Sequence, residues 1–219
     1  MHSNENTARI ESDEEVCVLS LELHADPEAE NPREWDNLGV MVCAEHRNYT
    51  LGDEDGFSKA QDVVREHYSE AFLEDYDLDH HPHVYRLMEN IKDVVMLPLY
   101  LYDHSGITMS TAPFSCPWDS GQVGFIFVTK EALRKEYGWK RITPKRMEQI
   151  YKYLSGEVET YDQYLRGDIY YFLAKEDDDV VDSCSGFFGS DPTKNGMMDH
   201  LSEPFKKLAQ EGKYELVYG

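Results

Sequence analysis

Residues 94–128, VVMLPLYLYDHSGITMSTAPFSCPWDSGQVGFIFV, begin and end with apolar runs rich in Val, Ile, Tyr and Phe. Runs of this length and composition are typical of buried strands. We therefore predict strands over 94–102 and 122–129, joined by one long loop. Pro98 lies inside the first strand, which indicates an edge position or a bulge, because proline has no amide hydrogen to donate to a neighbouring strand.

The remainder of the chain alternates between strand-like and helix-like patterns. Apolar periodicity predicts the following elements: strands over 16–24, 40–44, 168–174, 180–188 and 214–218, and helices over 57–71, 84–92, 129–138, 143–166 and 197–211. Because neighbouring strands are mostly compatible with hairpins, we expect an α+β fold with a largely antiparallel sheet packed with helices. We expect residues 15–219 to form a single domain, and the polar, charged residues 1–14 to be a disordered acidic tail.

The charge of the chain limits the classes of partner. It has 43 acidic and 21 basic residues, so its formal net charge is −22. Such a chain is expected to repel nucleic acid and anionic membranes and to attract basic proteins. Three interpretations remain open: a solvated surface, an acidic surface that imitates nucleic acid and blocks a nucleic-acid enzyme, and cation binding by clustered carboxylates.

The expected cellular compartment follows from two absent sequence features and from the spacing of the cysteines. No apolar run is long enough to cross a bilayer, and the first residues do not resemble a signal peptide. The four cysteines are widely spaced and form no CxxC motif. We therefore expect reduced thiols and a cytoplasmic location.

Four carboxylates recur every four residues along the helix predicted from Phe57. They are Asp62, Glu66, Glu70 and Glu74. On one continuous helix this spacing would align them about 6 Å apart, an interval comparable to that of phosphates along a nucleic-acid strand. The alternative is a solvated polar face whose repulsion is relieved by Arg65.

The loop between the two central strands contains the residue types of a nucleophilic site. A nucleophile needs an adjacent base and a group that orients the base, and the candidates are Asp103, His104, Cys116 and Asp119, with Ser120 and Cys184 as further possibilities. However, the sequence contains neither GxSxG nor a protease-type cysteine motif. His104 bracing the loop and buried, inert cysteines are the alternative interpretation.

Other binding motifs are weaker. Asp77, Asp79, His81 and His83 are candidate metal ligands, although neighbouring loop residues diverge and no standard metal spacing is present. We predict no cofactor, with a divalent metal as the open alternative. No phosphate-binding glycine motif occurs, and the basic residues over 130–146 bind an anion or balance nearby acids.

Several segments resemble an uncharacterised family of small proteins from tailed phages, archaeal viruses and integrated mobile elements. These segments are NPREWDNLGVMVC (31–43), NYTLGD (48–53), LPLYLYDHSGITMSTAPFSCPWDSGQVGFIFVTKEALRKEYG (97–138), EVETYDQYLRGDIYYF (157–172) and DSCSGFFG (182–189). Pro117 and Ser185 depart from the family pattern, which has a charged or polar residue and a Trp there. The family has no agreed catalytic residues to carry over.

The resemblance implies a setting in which small acidic accessory proteins often inhibit host defence. The expected function is that of a non-enzymatic interaction protein whose acidic surface binds a basic host protein, for example a nucleic-acid enzyme. The alternatives are a hydrolase or metal-dependent enzyme that uses the 103–122 loop, and a structural component of a virion. Nothing in the sequence predicts the oligomeric state.

Overall fold

The computed structural model describes residues 8–12 and 15–217. The strands, in chain order, are β1 Ala8–Ser12, β2 Glu15–Ala25, β3 Val40–Cys43, β4 Val94–Asp103, β5 Ile107–Ser110, β6 Ser120–Thr129, β7 Ile169–Glu176, β8 Asp179–Phe188 and β9 Glu215–Val217. The α-helices are α1 Gly56–His67, α2 Glu70–Leu73, α3 His81–Glu89, α4 Lys130–Tyr137, α5 Pro144–Leu165 and α6 Glu203–Gln210. The α+β class is confirmed. The described residues form two compact units, one made of the residues up to Glu30 and from Gln163 onward, the other of Asn31–Asp162.

The first unit has a sheet in the order β1-β2-β7-β8, with antiparallel pairing throughout this path. β9 runs parallel to β2 beside Glu22–His24. The strand predicted over 16–24 is confirmed as β2, and its Leu19, Leu21 and Leu23 are all buried on one face. They share a core with Phe172 of β7 and with α6.

The second unit has an antiparallel sheet in the order β3-β6-β4-β5. β3 and β6 approach so closely at Gly124 that an added Cβ would lie 1.9 Å from the Val42 carbonyl oxygen, so no larger residue fits there. α1 and α3 pack on this sheet and share a core cluster with Phe125 and Phe127. The strands that the sequence predicted at 94–102 and 122–129 are therefore the centre of one sheet.

Pro98 lies where the sequence analysis indicated. It pairs with Phe125 of β6 on one side, and the register shifts between Leu99 and Tyr100. The pairing of β4 with β5 begins only at Tyr100, so the missing amide hydrogen of Pro98 breaks no ladder with β5. The expectation of a bulge is confirmed.

The structure differs from the sequence predictions at three elements. Residues 8–12 of the predicted disordered tail form β1, which pairs with β2; residues 1–7, 13 and 14 lie outside the described residues. The predicted 197–211 helix is a 3₁₀ turn over Met197–Asp199 followed by α6, which begins at the Ser202-Glu-Pro204 sequence. The predicted loop between the central strands contains β5, which was too short for its periodicity to stand out.

Candidate functional site

Asp119 lies between Cys116 and His104, two other polar residues of the predicted nucleophilic site. Its Oδ2 accepts a hydrogen bond from the Cys116 thiol at 3.5 Å and lies 3.6 Å from His104 Nδ1. Ser120 Oγ donates to the Cys116 carbonyl and closes the turn that holds this arrangement. Residues that are fifteen positions apart in sequence thus meet because β4 and β6 are neighbours.

The order of these three groups does not activate the thiol. A nucleophilic cysteine needs its base within hydrogen-bond reach, with the base oriented from behind. Here the carboxylate contacts the thiol, and the imidazole lies on the far side of the carboxylate. A carboxylate is a much weaker base than a thiolate, so it is a poor acceptor for the proton of a thiol. The cluster instead fixes the conformation of the loop.

Asp103 serves a different set of partners. Its Oδ2 lies 2.9 Å from His46 Nε2 and 2.9 Å from Arg47 Nη1. Its backbone N–H donates to the Asp119 carbonyl at 2.8 Å. Asp103 therefore links the loop to the turn at His46 and Arg47 and does not orient His104. The sequence does not predict His46 and Arg47 as its partners, because no local pattern links positions about 57 apart.

An open cavity of about 340 Å³ adjoins this pairing. Its lining includes Arg47, Asp103, Asp119 and Gln122, together with Trp118, whose side chain is 92% exposed. The lining combines a cation, carboxylates and one indole. His104 and Cys116 are not among the lining residues, so the thiol and imidazole do not face this cavity.

Cys184 meets an imidazole in the first unit. Its Sγ lies 3.9 Å from His200 Nδ1, near the limit of a hydrogen bond to sulfur. The ring of His200 meets Phe187 edge-on with the centroids 5.4 Å apart. An aromatic ring cannot act as the polar group that orients a catalytic imidazole, so this contact is only a partial match to a nucleophile and base.

The four predicted metal ligands do not converge. His81 stacks on Phe57 with ring centroids 3.8 Å apart, while His83 Nδ1 accepts from the backbone N–H of Asp77 at 3.0 Å. Asp79 Oδ1 accepts from Gln61 at 3.2 Å. Within residues 8–12 and 15–217, no group of three or more His, Cys, Asp or Glu is placed to hold a metal ion. The prediction of a metal site from Asp77, Asp79, His81 and His83 is therefore corrected: two of these residues precede α3 and two lie in its first turn, and they contact different local partners.

A buried arginine forms the most connected polar cluster of the second unit. The side chain of Arg33 is 2% exposed. Its Nε and Nη2 donate to the two carboxylate oxygens of Asp53 at 2.7 and 3.2 Å, and its Nη1 donates to Glu157 Oε2 at 3.0 Å. Nη2 also donates to the Gly39 carbonyl at 2.7 Å. This two-pronged geometry is the one in which an arginine–carboxylate pair is strongest.

The carboxylates of this cluster also hold backbone. Asp53 Oδ2 accepts from the Met41 N–H at 3.0 Å, and Glu157 Oε1 accepts from the Leu38 N–H at 2.8 Å. Burial lowers the pKa of the Arg33 guanidinium, but the hydrogen bonds and charges of Asp53 and Glu157 more than offset it, so the pKa is raised. The guanidinium remains charged, and the cluster fixes the entry to β3.

The cluster joins three of the segments quoted above for their family resemblance. Arg33 comes from NPREWDNLGVMVC, Asp53 ends NYTLGD, and Glu157 begins EVETYDQYLRGDIYYF. No motif or spacing in the sequence singles out these residues. Their shared property in the sequence is that all three lie in the quoted segments, which indicates a shared structural role.

The four-carboxylate stripe is not continuous. α1 ends at His67, and Ser69 begins α2 by accepting a hydrogen bond from the Phe72 N–H at 3.4 Å. Asp62 and Glu66 therefore lie on one helix, whereas Glu70 and Glu74 lie at the two ends of the next. The prediction of a regular row on a single helix is wrong, because Ser69 is a better N-cap than a helix-interior residue.

The same carboxylates remain on the surface as part of a larger acidic segment. We define the acidic surface as residues 54–79, which contain nine carboxylates and two basic residues and so carry a formal charge of −7. All nine are exposed: Glu54, Asp55, Asp62, Glu66, Glu70, Glu74, Asp75, Asp77 and Asp79. Among the described residues, two of the nine have a basic partner, Asp55 with Lys59 and Asp62 with Arg65.

Aromatic rings lie within the acidic surface. Tyr68, Phe72 and Tyr76 stack in sequence with centroids 4.9 and 5.2 Å apart, and Phe72 is 44% exposed. All four residues of α2 are at least partly exposed. The acidic surface thus combines free carboxylates with accessible aromatic faces.

The remaining observations concern the whole chain. No helix in the described part of the chain is both long and apolar enough to span a membrane. Comparisons with protein-family models, curated proteins and solved structures found no match. The function proposed for the chain therefore rests on its own residues.

Proposed function

We propose that this protein is a non-enzymatic accessory protein of viral or mobile-element origin that acts in the host cytoplasm. It binds a basic, nucleic-acid-associated host protein through the acidic surface and inhibits it. The observation that carries the proposal is the set of nine exposed carboxylates in 26 residues, seven of which have no basic partner among the residues that the structure describes. An unneutralised surface of this kind steers basic partners at long range.

The aromatic rings favour a binding surface over a merely solvated one. Solvation alone does not favour a phenylalanine that is 44% exposed on a helix with no buried residue. Tyrosine and phenylalanine faces attract lysine and arginine, and the surrounding carboxylates add charge-assisted hydrogen bonds. The combination fits the side chains that a nucleic-acid-binding protein presents to phosphates.

The nucleophilic cluster lends no comparable support to an enzyme. Its thiol contacts a carboxylate, and its imidazole lies away from the thiol. The viral or mobile-element setting is supported by the resemblance of the quoted segments, three of which meet at Arg33.

The test is a pull-down from host extract with wild-type protein and a variant carrying Asp62→Asn, Glu66→Gln, Glu70→Gln and Glu74→Gln. We expect wild type to capture a basic protein at low salt and to release it as salt rises, because exposed charges are screened. The variant should bind about tenfold more weakly, since each exposed charge contributes a few tenths of a kcal/mol or more.

The matched control neutralises four exposed carboxylates of the hairpin between β7 and β8, through Glu176→Gln, Asp178→Asn, Asp179→Asn and Asp182→Asn. Both variants change the net charge by the same amount. Equal loss in the two variants would mean that only the overall charge matters. Unchanged capture by the first variant at every salt concentration would exclude the acidic surface as the binding site.

A further inference from the structure

One segment of this acidic chain is strongly basic. We define the basic surface as residues 130–146, which contain seven of the 21 basic residues and two acidic ones, so its formal charge is +5. The basic residues are Lys130, Arg134, Lys135, Lys140, Arg141, Lys145 and Arg146. They lie on α4, on the connection that follows it, and on the first turn of α5.

Most of these cations have no ionic partner. Lys130 donates to the Lys92 carbonyl and lies 3.8 Å from Asp93, and Arg146 Nη1 donates to the Arg141 carbonyl at 2.6 Å. The side chains of the other five residues are exposed, and no ion pair joins them to any acidic residue in the described part of the chain. With twice as many acids as bases in the chain, five unpaired cations in one segment are unexpected.

Helix electrostatics explains only part of the basic surface. Arg134 and Lys135 lie in the last turn of α4, where cations stabilise the negative end of the helix dipole. Lys145 lies in the first turn of α5, where a cation is unfavourable, and Lys140 and Arg141 lie between the helices. The helix dipoles therefore do not account for the positions of these last three residues.

Aromatic side chains are interleaved with the cations. Tyr137 stacks on Trp139 with the centroids 4.5 Å apart, and the Arg146 guanidinium carbon lies 4.5 Å from the Trp139 ring centroid. Tyr153 follows on α5 seven residues after Arg146, so the two side chains share a face of the helix, and the tyrosine is 43% exposed. Burial raises the pKa of Tyr137, and the neighbouring Tyr153 adds to this effect.

We propose that the basic surface, together with Tyr137 and Tyr153, binds single-stranded nucleic acid. Unpaired Lys and Arg side chains neutralise the phosphates, while exposed rings stack on unpaired bases without regard to sequence. A carboxylate-rich protein would also satisfy the cations, but cations interleaved with exposed rings are the combination with which proteins bind single strands, so the rings favour nucleic acid.

The net charge of −22 does not prevent this binding. At physiological salt the screening length is about 8 Å, so a ligand on the basic surface interacts mainly with nearby charges. Net charge alone predicts that nucleic acid is repelled, but the local charge of +5 has the opposite effect. The inference is independent of the proposed function, because it uses different residues and a different class of ligand.

The test measures fluorescence anisotropy of a labelled oligothymidylate of about 20 nucleotides, longer than the roughly 4–16 that one binding fold covers. The full chain should bind it, and affinity should fall about 50-fold between about 50 and 200 mM salt if four phosphates are neutralised. A variant with Lys140→Gln, Arg141→Gln and Lys145→Gln should lose at least tenfold in affinity at low salt, and its logarithmic salt slope should be shallower by about two.

The charge-matched control is Lys194→Gln, Lys206→Gln and Lys213→Gln, which changes the net charge equally and replaces one exposed and two half-buried lysines of the first unit, each paired with a carboxylate. It should bind as wild type does. No binding by wild type at low salt would overturn the proposal, and so would equal weakening of the two variants. Salt-sensitive self-association that the first variant abolishes, without oligothymidylate binding, would also overturn it and assign the surface to a second copy.

The role of the rings is tested separately. Tyr153→Ala should weaken oligothymidylate binding about tenfold, because stacking on one base is worth about 1–3 kcal/mol, and should leave the salt slope unchanged. Tyr49→Ala is the matched control, since Tyr49 and Tyr153 are both 43% exposed. If Tyr153→Ala binds as tightly as Tyr49→Ala, base stacking is excluded and the proposal fails.

Discussion

The acidic surface and the basic surface are both helical, but they are anchored to the second unit in different ways. α1 buries Ala60 and Val64, whereas α2, which carries the exposed Phe72, buries none of its four described residues. In contrast, α4 buries Leu133 and α5 buries Ile150, Leu154, Val158 and Tyr161. Five of the seven cations therefore extend from firmly packed helices, whereas half of the predicted carboxylate stripe extends from a helix whose core contact comes from the partly buried Leu73.

This difference indicates how each surface adapts to a ligand. Segments with few buried apolar contacts open locally at low free energy, so α2 can rearrange to fit a partner at the cost of few core contacts. The basic surface has to accept its ligand in the geometry that the packing of α4 and α5 fixes.

The largest effect is expected at Arg33, which links the two regions. It pairs with Asp53, one residue before the acidic surface, and with Glu157 on α5. Arg33→Met removes the charge but keeps the length of the side chain, and it leaves two mostly buried carboxylates without their partner. We expect the free energy of unfolding, measured in urea, to fall by about 3–5 kcal/mol.

Arg65→Met is the control for this change. Arg65 pairs with Asp62 at 3.2 Å on the exposed side of α1, and exposed pairs of this kind contribute about 0–1 kcal/mol. If both substitutions lower the free energy of unfolding by a similar amount, burial does not strengthen the ion pairs of Arg33. The proposal that Arg33 links the two regions would then be excluded.

The sequence was sufficient where the determinants are local. The alternation of Leu19, Leu21 and Leu23 predicts the buried face of β2, and Thr129 and Gly138 mark the two ends of α4. Thr129 Oγ1 accepts from the Ala132 N–H at 3.1 Å, and Gly138 has a φ of 63°, as capping chemistry requires. Such signals lie within a few residues of the structure they specify.

The sequence failed where the outcome depends on competition or on distant partners. The helical period continues through Tyr68 and Ser69, and only the capping bond of Ser69 shows that a new helix begins there. Arg33 finds its carboxylates 20 and 124 positions away, so no window of the sequence contains the pairing. His104 and Asp119 were grouped correctly because both lie in one connection between neighbouring strands.

An intermediate effect is expected when the cap of each surface is removed. Ser69→Ala and Thr129→Ala each delete the side-chain oxygen that begins a helix, a loss of about 1 kcal/mol of helix stability. Because α4 buries Leu133, Thr129→Ala should lower the global free energy of unfolding by about that amount. Ser69→Ala should leave the global value within about 0.5 kcal/mol and instead speed amide hydrogen exchange in α2.

Hydrogen exchange measured together with urea unfolding separates these outcomes. Faster exchange confined to residues 70–73 with unchanged global stability would support a locally held α2. A global loss in the Ser69→Ala variant as large as that of Thr129→Ala would contradict the difference in anchoring, because it would show that α2 unfolds only with the whole unit.

The smallest effect concerns pH and the ring stack beside each surface. His81 stacks on Phe57 at the start of α1, and burial lowers its pKa; His80 adds to this effect, whereas Glu45 opposes it. As pH falls below the ordinary histidine pKa of about 6.5, the unfolded chain takes up this proton before the folded chain does, so stability falls until the folded pKa is reached. We expect His81→Phe, which keeps a ring on Phe57, to lose less stability than wild type between about pH 7 and pH 5.

The corresponding cation on Trp139 is Arg146, which stays charged across this range, so only the attachment of the acidic surface should respond. Parallel loss of stability in wild type and His81→Phe would show that this imidazole does not couple α1 to pH.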